Sequence, residues 1–134
     1  LIFVDTSAWY AVEVEDDVHH AEARQFLRRL ASGTYGASVT TDYVLDETLT
    51  LLRSRRGLDA AMAYIDKVRR SKSVKVFWIT EELFEKALGT FRGSKGQSWS
   101  FTDCTSFAIM KELSIPDAFA FDGHFEEAGL GLRP

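Results

Sequence analysis

The chain has 134 residues, 46% of them hydrophobic and 27% charged, with a formal net charge of −4. That length and mix suit a single globular domain over residues 1–134, whose core is large enough to need no covalent staples. The one cysteine, Cys104, excludes an internal disulfide and fits a reducing, cytoplasmic setting; no stretch is long and apolar enough for a helical membrane span.

Leu1-Ile2-Phe3-Val4 reads as a short, wholly apolar strand of the kind buried on both faces of a parallel sheet. As a secretory leader the run is too short and lacks a basic flank. Asp5-Thr6-Ser7 offers capping chemistry for a helix through Val14, and Asp16-Asp17 opens a second helix to about Ser32, closed by Gly33. Gly36–Val39 is expected as a second strand. Thr40-Thr41-Asp42 then caps a long helix that ends near Gly57, and another helix runs from Asp59 to Ser71. Val74–Ile79, rich in β-branched and aromatic residues, is the clearest strand. A helix from Thr80 through Phe91, a loop over Gly93–Gln97, a helix over Phe101–Leu113 and strands at Ala118–Phe121 and Gly129–Leu132 complete the chain. Strands alternating with helices predict an α/β fold: a three-layer α/β/α sandwich around a parallel sheet of four to five strands.

Four acids stand where this fold would bury them: Asp5 after the first strand, Glu47 within an apolar helix, Asp103 at a helix start and Asp122 after Phe119-Ala120-Phe121. Two carboxylates about 4 Å apart repel by roughly 4 kcal/mol at an effective dielectric near 20. No Lys or Arg is near Asp5, Asp103 or Asp122 in sequence, so a divalent cation is the expected counter-charge if the fold gathers the four. Hard oxygen donors favour magnesium or manganese over zinc. Asp5 and Asp122 also follow strands directly, where open parallel sheets bind ligands. Each acid has a structural alternative. Asp5 can simply cap a helix, Asp103 completes a capping-box spacing with Ser100, and Asp122-Gly123 is a turn signal. Glu47 shares a helix face with Tyr43, Val44 and Leu51, which points it toward the apolar side unless it snorkels to the rim. The hydroxyls of Ser7 and Thr102 are expected either to hydrogen-bond the carboxylates or to cap.

The segments Phe3-Val4-Asp5-Thr6-Ser7, Asp46-Glu47-Thr48, Phe101-Thr102-Asp103-Cys104 and Phe121-Asp122-Gly123-His124-Phe125 occur in an order and spacing that resemble PIN-domain ribonucleases. Within that family the chain looks like the VapC-type toxins of VapBC toxin–antitoxin pairs. The resemblance implies that Asp5, Glu47, Asp103 and Asp122 are the catalytic residues and bind Mg2+ or Mn2+. It implies hydrolysis of RNA phosphodiesters to 5′-phosphate and 3′-hydroxyl ends. It further implies a cognate antitoxin, held by a groove near Trp9 and Tyr10, and a homodimeric toxin. The chemistry is coherent, since a metal activates water and stabilises phosphoryl charge while a carboxylate takes the proton.

The remaining signals are weaker. The basic runs Arg53-Ser54-Arg55-Arg56 and Lys67–Lys72 read as solvated helix ends or as phosphate contacts, against a negative overall balance. His19, His20, His124 and Cys104 lack zinc spacing and read as surface or packing residues, although His124 follows Asp122 closely enough to shape the site. Trp9, Tyr10, Trp78 and Trp99 read as core or interface. A non-catalytic RNA-binding or assembly module is an alternative reading. A haloacid-dehalogenase-type phosphatase is disfavoured, because Ser7 stands where that chemistry needs a second Asp.

Overall fold

A computed structural model describes all residues 1–134. Five strands, β1 (Ile2–Val4), β2 (Ser38–Thr41), β3 (Val74–Phe77), β4 (Asp117–Phe119) and β5 (Gly131–Arg133), alternate with seven helices. The helices are α1 (Thr6–Glu13), α2 (His20–Ala31), α3 (Asp42–Arg56), α4 (Leu58–Arg70), α5 (Glu81–Arg92), α6 (Phe101–Glu112) and α7 (His124–Glu127). The strands form one sheet in the order β3-β2-β1-β4-β5, and every neighbouring pair is parallel. This is the expected α/β/α sandwich.

The sequence explains the centre of the sheet. Ile2, Phe3 and Val4 are all buried, so β1 is covered on both faces, as its unbroken apolar run requires. On one side Phe3 packs against Phe125; on the other Val4 lines a cavity together with Trp9 and Tyr64. The chain winds from β1 outward to β3, then returns to place β4 on the other side of β1. The crevice beyond the carboxyl ends of β1 and β4 is therefore the switch point of the sheet, where such folds bind ligands.

Several boundaries move for local reasons. The second helix starts at His20 rather than at Asp16-Asp17, because the Asp17 carboxylate accepts from the His19 N–H at 2.9 Å and closes a turn instead. β2 starts two residues later than expected, since Gly36, at φ +76°, turns the chain beside Leu1. β4 ends at Phe119. Beyond it the Ala120 N–H reaches Arg133 O, and the Phe121 N–H leaves the ladder for Ser7 Oγ at 3.0 Å. β3 ends at Phe77; the next residue, Trp78, is 72% exposed, so it is no core residue. The one-turn helix α7 carries too short a pattern to be read from sequence.

Candidate active site

Asp5 is the first residue beyond β1, and its own N–H still donates to Phe119 O across the sheet at 3.0 Å. Its side chain caps α1: Oδ2 accepts from the Ser7 N–H at 3.2 Å and from the Ser7 hydroxyl at 2.7 Å. Cap and candidate ligand are thus the same carboxylate. A simple cap sits in water, whereas Asp5 is 2% exposed and its Oδ1 is buried with no partner. Burial, with the Asp122 and Asp103 carboxylates adding repulsion against the opposing Ser7 hydrogen bonds, raises its pKa to about 7.

Asp103 is the third residue of α6 and forms a reciprocal capping box with Ser100. Its N–H donates to Ser100 Oγ, and its Oδ2 accepts from the Ser100 N–H, each at 3.0 Å. The same Oδ2 lies 2.8 Å from His124 Nδ1. Asp122 sits three residues past β4, and its Oδ1 accepts from the His124 N–H at 3.1 Å in a tight turn. His124 Nδ1 is 3.8 Å from that oxygen. Burial alone would lower the His124 pKa, but the Asp103 and Asp122 carboxylates outweigh it and hold the imidazole above its usual range.

Glu47 departs from its expected setting. It is half-exposed on the wall of a groove lined also by Thr6, Asp46, Thr50, Leu51, Ser54 and Thr102. The face it shares with Leu51 borders this groove, so the snorkelling alternative describes it better than burial in the core. The groove also takes in Thr6 and Thr102, the chain neighbours of Asp5 and Asp103, and Glu47 makes no side-chain hydrogen bond there. Asp5, Asp103 and Asp122 lie near enough to act on one another electrostatically, and Glu47 lines the adjoining groove. Their oxygens do not converge on a common point at ligating distance in this geometry.

The two hydroxyls differ. Ser7 Oγ links Asp5 Oδ2 to the Phe121 N–H and so ties the ends of β1 and β4 together. Thr102 donates no hydrogen bond to a carboxylate; it lies inside the first turn of α6, and the neighbouring cap is made by Ser100. Sequence reasoning favoured a surface or packing role for His124, with its closeness to Asp122 as the one hint of a site role; its partner Asp103 is 21 positions away, which no local pattern reveals. His19, also assigned to packing, stacks on Phe121 at 4.4 Å between ring centroids, while Cys104 is buried.

The aspartates share one pattern. Each commits one oxygen to protein donors and leaves the other without one: Asp5 Oδ1, Asp103 Oδ1 and Asp122 Oδ2. No Lys or Arg pairs with any of them. Uncommitted carboxylate oxygens from separate elements, with a buried one orphaned, fit a hard divalent cation.

Comparison with known proteins places these features in context. A family model described as the PIN domain matches residues 2–130. The 23S rRNA-specific endonuclease VapC20 of Mycobacterium tuberculosis is 40% identical over 135 residues, spanning 100% of this chain and 99% of that protein. A VapC ribonuclease of Archaeoglobus fulgidus is 27% identical over 131 residues, covering 96% and 81% of the two chains. The crystal structure of M. tuberculosis VapC20, described as a Sarcin-Ricin loop cleaving toxin, superposes with a TM-score of 0.87 at 38% identity, covering 97% and 96%.

Proposed function

The chain belongs to the PIN-domain family, and from that premise we propose that it is a Mg2+- or Mn2+-dependent endoribonuclease, the toxin of a VapBC-type pair. The observation that carries this reading is the set of three aspartates at the β1/β4 switch point, each leaving one oxygen free of protein donors. Asp5, Asp103, Asp122 and Glu47 would hold the cation. Bound there, the metal lowers the pKa of water and neutralises charge developing on a phosphoryl oxygen.

The chain's own groups supply the rest. Ser7 fixes Asp5 through Oδ2 and keeps Oδ1 pointing away from it. Glu47, half-exposed and free of hydrogen bonds, would take the proton of the attacking water on its carboxylate. The water oxygen then bonds to phosphorus as the bond to the 3′-oxygen of the preceding nucleotide breaks, that oxygen takes a proton from solvent, and the products carry 5′-phosphate and 3′-hydroxyl ends. Arg53, exposed and without an ion pair where α3 leaves the groove, is suited to a flanking RNA phosphate.

Full-length similarity to an endonuclease specific for 23S rRNA makes a structured ribosomal RNA loop the first substrate to test. The cognate antitoxin would occupy the apolar groove lined by Trp9, Leu27, Leu30, Tyr64 and Val68, near the position expected from Trp9 and Tyr10. A homodimer would cover exposed Trp78 and Phe91. No helix is long and apolar enough to cross a membrane, which agrees with action in the cytoplasm beside ribosomes.

The test is cleavage of total RNA with Mn2+ or Mg2+, followed by sequencing of 5′-phosphate ends. Asp5→Asn, Glu47→Gln, Asp103→Asn and Asp122→Asn should each lower the rate at least about 100-fold, and pairs should cost little more than the worse single change. Wild-type rates in the Asp5→Asn protein, or undiminished cleavage in chelator, would overturn the assignment.

A further inference from the structure

We infer that His124 is a positioning residue of this site: its Nδ1–H holds Asp103 by the oxygen that already serves the helix cap, which reserves Oδ1 for the cation. This rests on the metal reading above and goes beyond it, since it assigns a task to a residue outside the acidic set.

The geometry is tightly defined. The adjoining Phe125 is fully buried, 6.1 Å from the Phe3 ring and 5.3 Å from the Phe107 ring between centroids, so the backbone at His124 is anchored in the core. The His124 N–H donates to Asp122 Oδ1 at 3.1 Å while ring Nδ1 lies 2.8 Å from Asp103 Oδ2. One residue therefore spans the two acids that α6 and the β4–α7 turn deliver separately. An ionised carboxylate only accepts, so Nδ1 carries the proton in this contact. In the neutral ring Nε2 is then an acceptor, and the Ser98 hydroxyl stands 3.5 Å from it. That tautomer satisfies both ring nitrogens.

Two roles are compatible with a histidine between two carboxylates. It could be a surrogate cation, which a metal must displace, or a support that stays in place when the metal arrives. The distribution of bonds favours support. The ring contacts the Asp103 oxygen that the Ser100 N–H also uses, and its backbone contacts Asp122 through Oδ1. Asp103 Oδ1 and Asp122 Oδ2 stay free of both contacts. A displaceable cation would instead sit on the uncommitted oxygens. Without the imidazole, Asp103 keeps its cap but loses the second restraint on Oδ2, and its distance from Asp122 is no longer fixed. Partners of this kind, hydrogen-bonded to a metal-binding carboxylate, are typically worth about 10- to 100-fold in metal affinity.

The experiment titrates Mn2+ into metal-free protein by calorimetry, with RNA cleavage followed in parallel across Mn2+ concentrations. His124→Leu keeps bulk and removes both ring nitrogens; His124→Asn keeps an N–H donor near the Nδ1 position. The expected result is a Kd raised about 10- to 100-fold in His124→Leu and largely restored in His124→Asn. In cleavage, the Leu variant should need correspondingly more Mn2+ and approach the wild-type rate at saturation. Wild-type affinity in both variants would overturn the inference while leaving the metal reading intact. Tighter binding in His124→Leu would overturn it in favour of the surrogate cation. Equal loss in both variants with unchanged circular dichroism would also overturn it, because the N–H donor would then not be the operative group. Absence of Mn2+ binding to the wild-type protein would overturn the metal reading and this role together.

Discussion

Replacing Asp5 with Asn isolates the electrostatic strain of the acidic crevice. In the folded protein the Asp5 pKa stands at about 7, against 3.8 for the free side chain, chiefly through burial and then through Asp122. The folded state therefore binds more protons than the unfolded chain between those values, and stability falls as pH rises through this window. With about 1.36 kcal/mol per unit, keeping Asp5 in place at pH 8 costs roughly 4 kcal/mol relative to a neutral isostere, and at pH 5 about 2 kcal/mol. The wild-type protein should thus lose about 2–3 kcal/mol between pH 5 and pH 8 that Asp5→Asn does not lose. Asn retains an oxygen for the Ser7 donors, and any constant cost of its amide cancels when the two pH values are compared.

The assay is urea denaturation in chelator at pH 5, 6, 7 and 8, with thermal melts as a second reading. The gap in stability between the two proteins should move in favour of Asp5→Asn by about 2–3 kcal/mol across that range, which for a domain of this size is roughly 10 °C in Tm. His124 also titrates, and in the same direction: its raised pKa contributes stability that disappears as pH climbs through the folded value. That contribution is common to both proteins and drops out of the difference. Parallel pH curves for wild type and Asp5→Asn would refute the claim that Asp5 is strained. Adding Mn2+ at pH 8 should raise the wild-type Tm and move the variant little, by preferential binding to the native state.

Other perturbations separate structural from site roles. Ser7→Ala removes the donor to Asp5 Oδ2 and the acceptor of the Phe121 N–H, and should cost about 2 kcal/mol in denaturant melts. Asp103→Ala loses the capping box and should cost about 1–2 kcal/mol, whereas Asp103→Asn keeps an acceptor and should stay within about 0.5 kcal/mol of wild type; both should bind Mn2+ weakly in calorimetry. Glu47→Gln, with no hydrogen bond to break, should leave stability within about 0.5 kcal/mol while abolishing cleavage, as read by paired melts and RNA gels. Gly57→Ala should destabilise by about 1–3 kcal/mol without altering metal affinity. Gly57 joins α3 to α4 at φ +94° and ψ 172°, a conformation that residues with a Cβ avoid, and no neighbour crowds the position.

Local chemistry made much of this molecule legible. Ile2-Phe3-Val4 is apolar at every position because β1 is covered on both faces, and that run marks the centre of the sheet before any topology is known. Asp5 is legible for the same reason, as a charge directly after such a strand. Features set by contacts distant in sequence were hidden. Phe121 reads as the end of a strand, yet its N–H is claimed by Ser7, 114 positions away. The side of α3 that carries Glu47 looks apolar by period, but Leu51 and Glu47 face a crevice opened by the neighbouring α1 and α6. Periodicity reports which residues share a face, and what lies opposite that face is a tertiary fact. His124 is the clearest case, because its meaning depends on α6 and the β4–α7 turn meeting.

The local roles of Asp5 as a cap, Asp103 as a capping-box partner and Asp122 as a turn residue each account for the residue without any ligand, and so stand as rivals to a metal site. The atoms show that the two roles divide. A cap uses one carboxylate oxygen and fixes the side chain by two donors, Ser7 for Asp5 and Ser100 with His124 for Asp103. The second oxygen is then aimed by the helix start or the turn, which are rigid elements, at no further conformational cost. Capping also limits the penalty of gathering like charges, because each carboxylate enters the crevice with part of its lost hydration replaced by protein donors. Repulsion among the aspartates is not removed by these bonds; Asp5, the most buried, still bears it as a raised pKa. A fold that needed only a cap, a capping-box partner and a turn could have used uncharged polar residues at these positions without that strain. Aspartate in all three, with an orphaned oxygen on the most buried, makes sense if a cation completes the set.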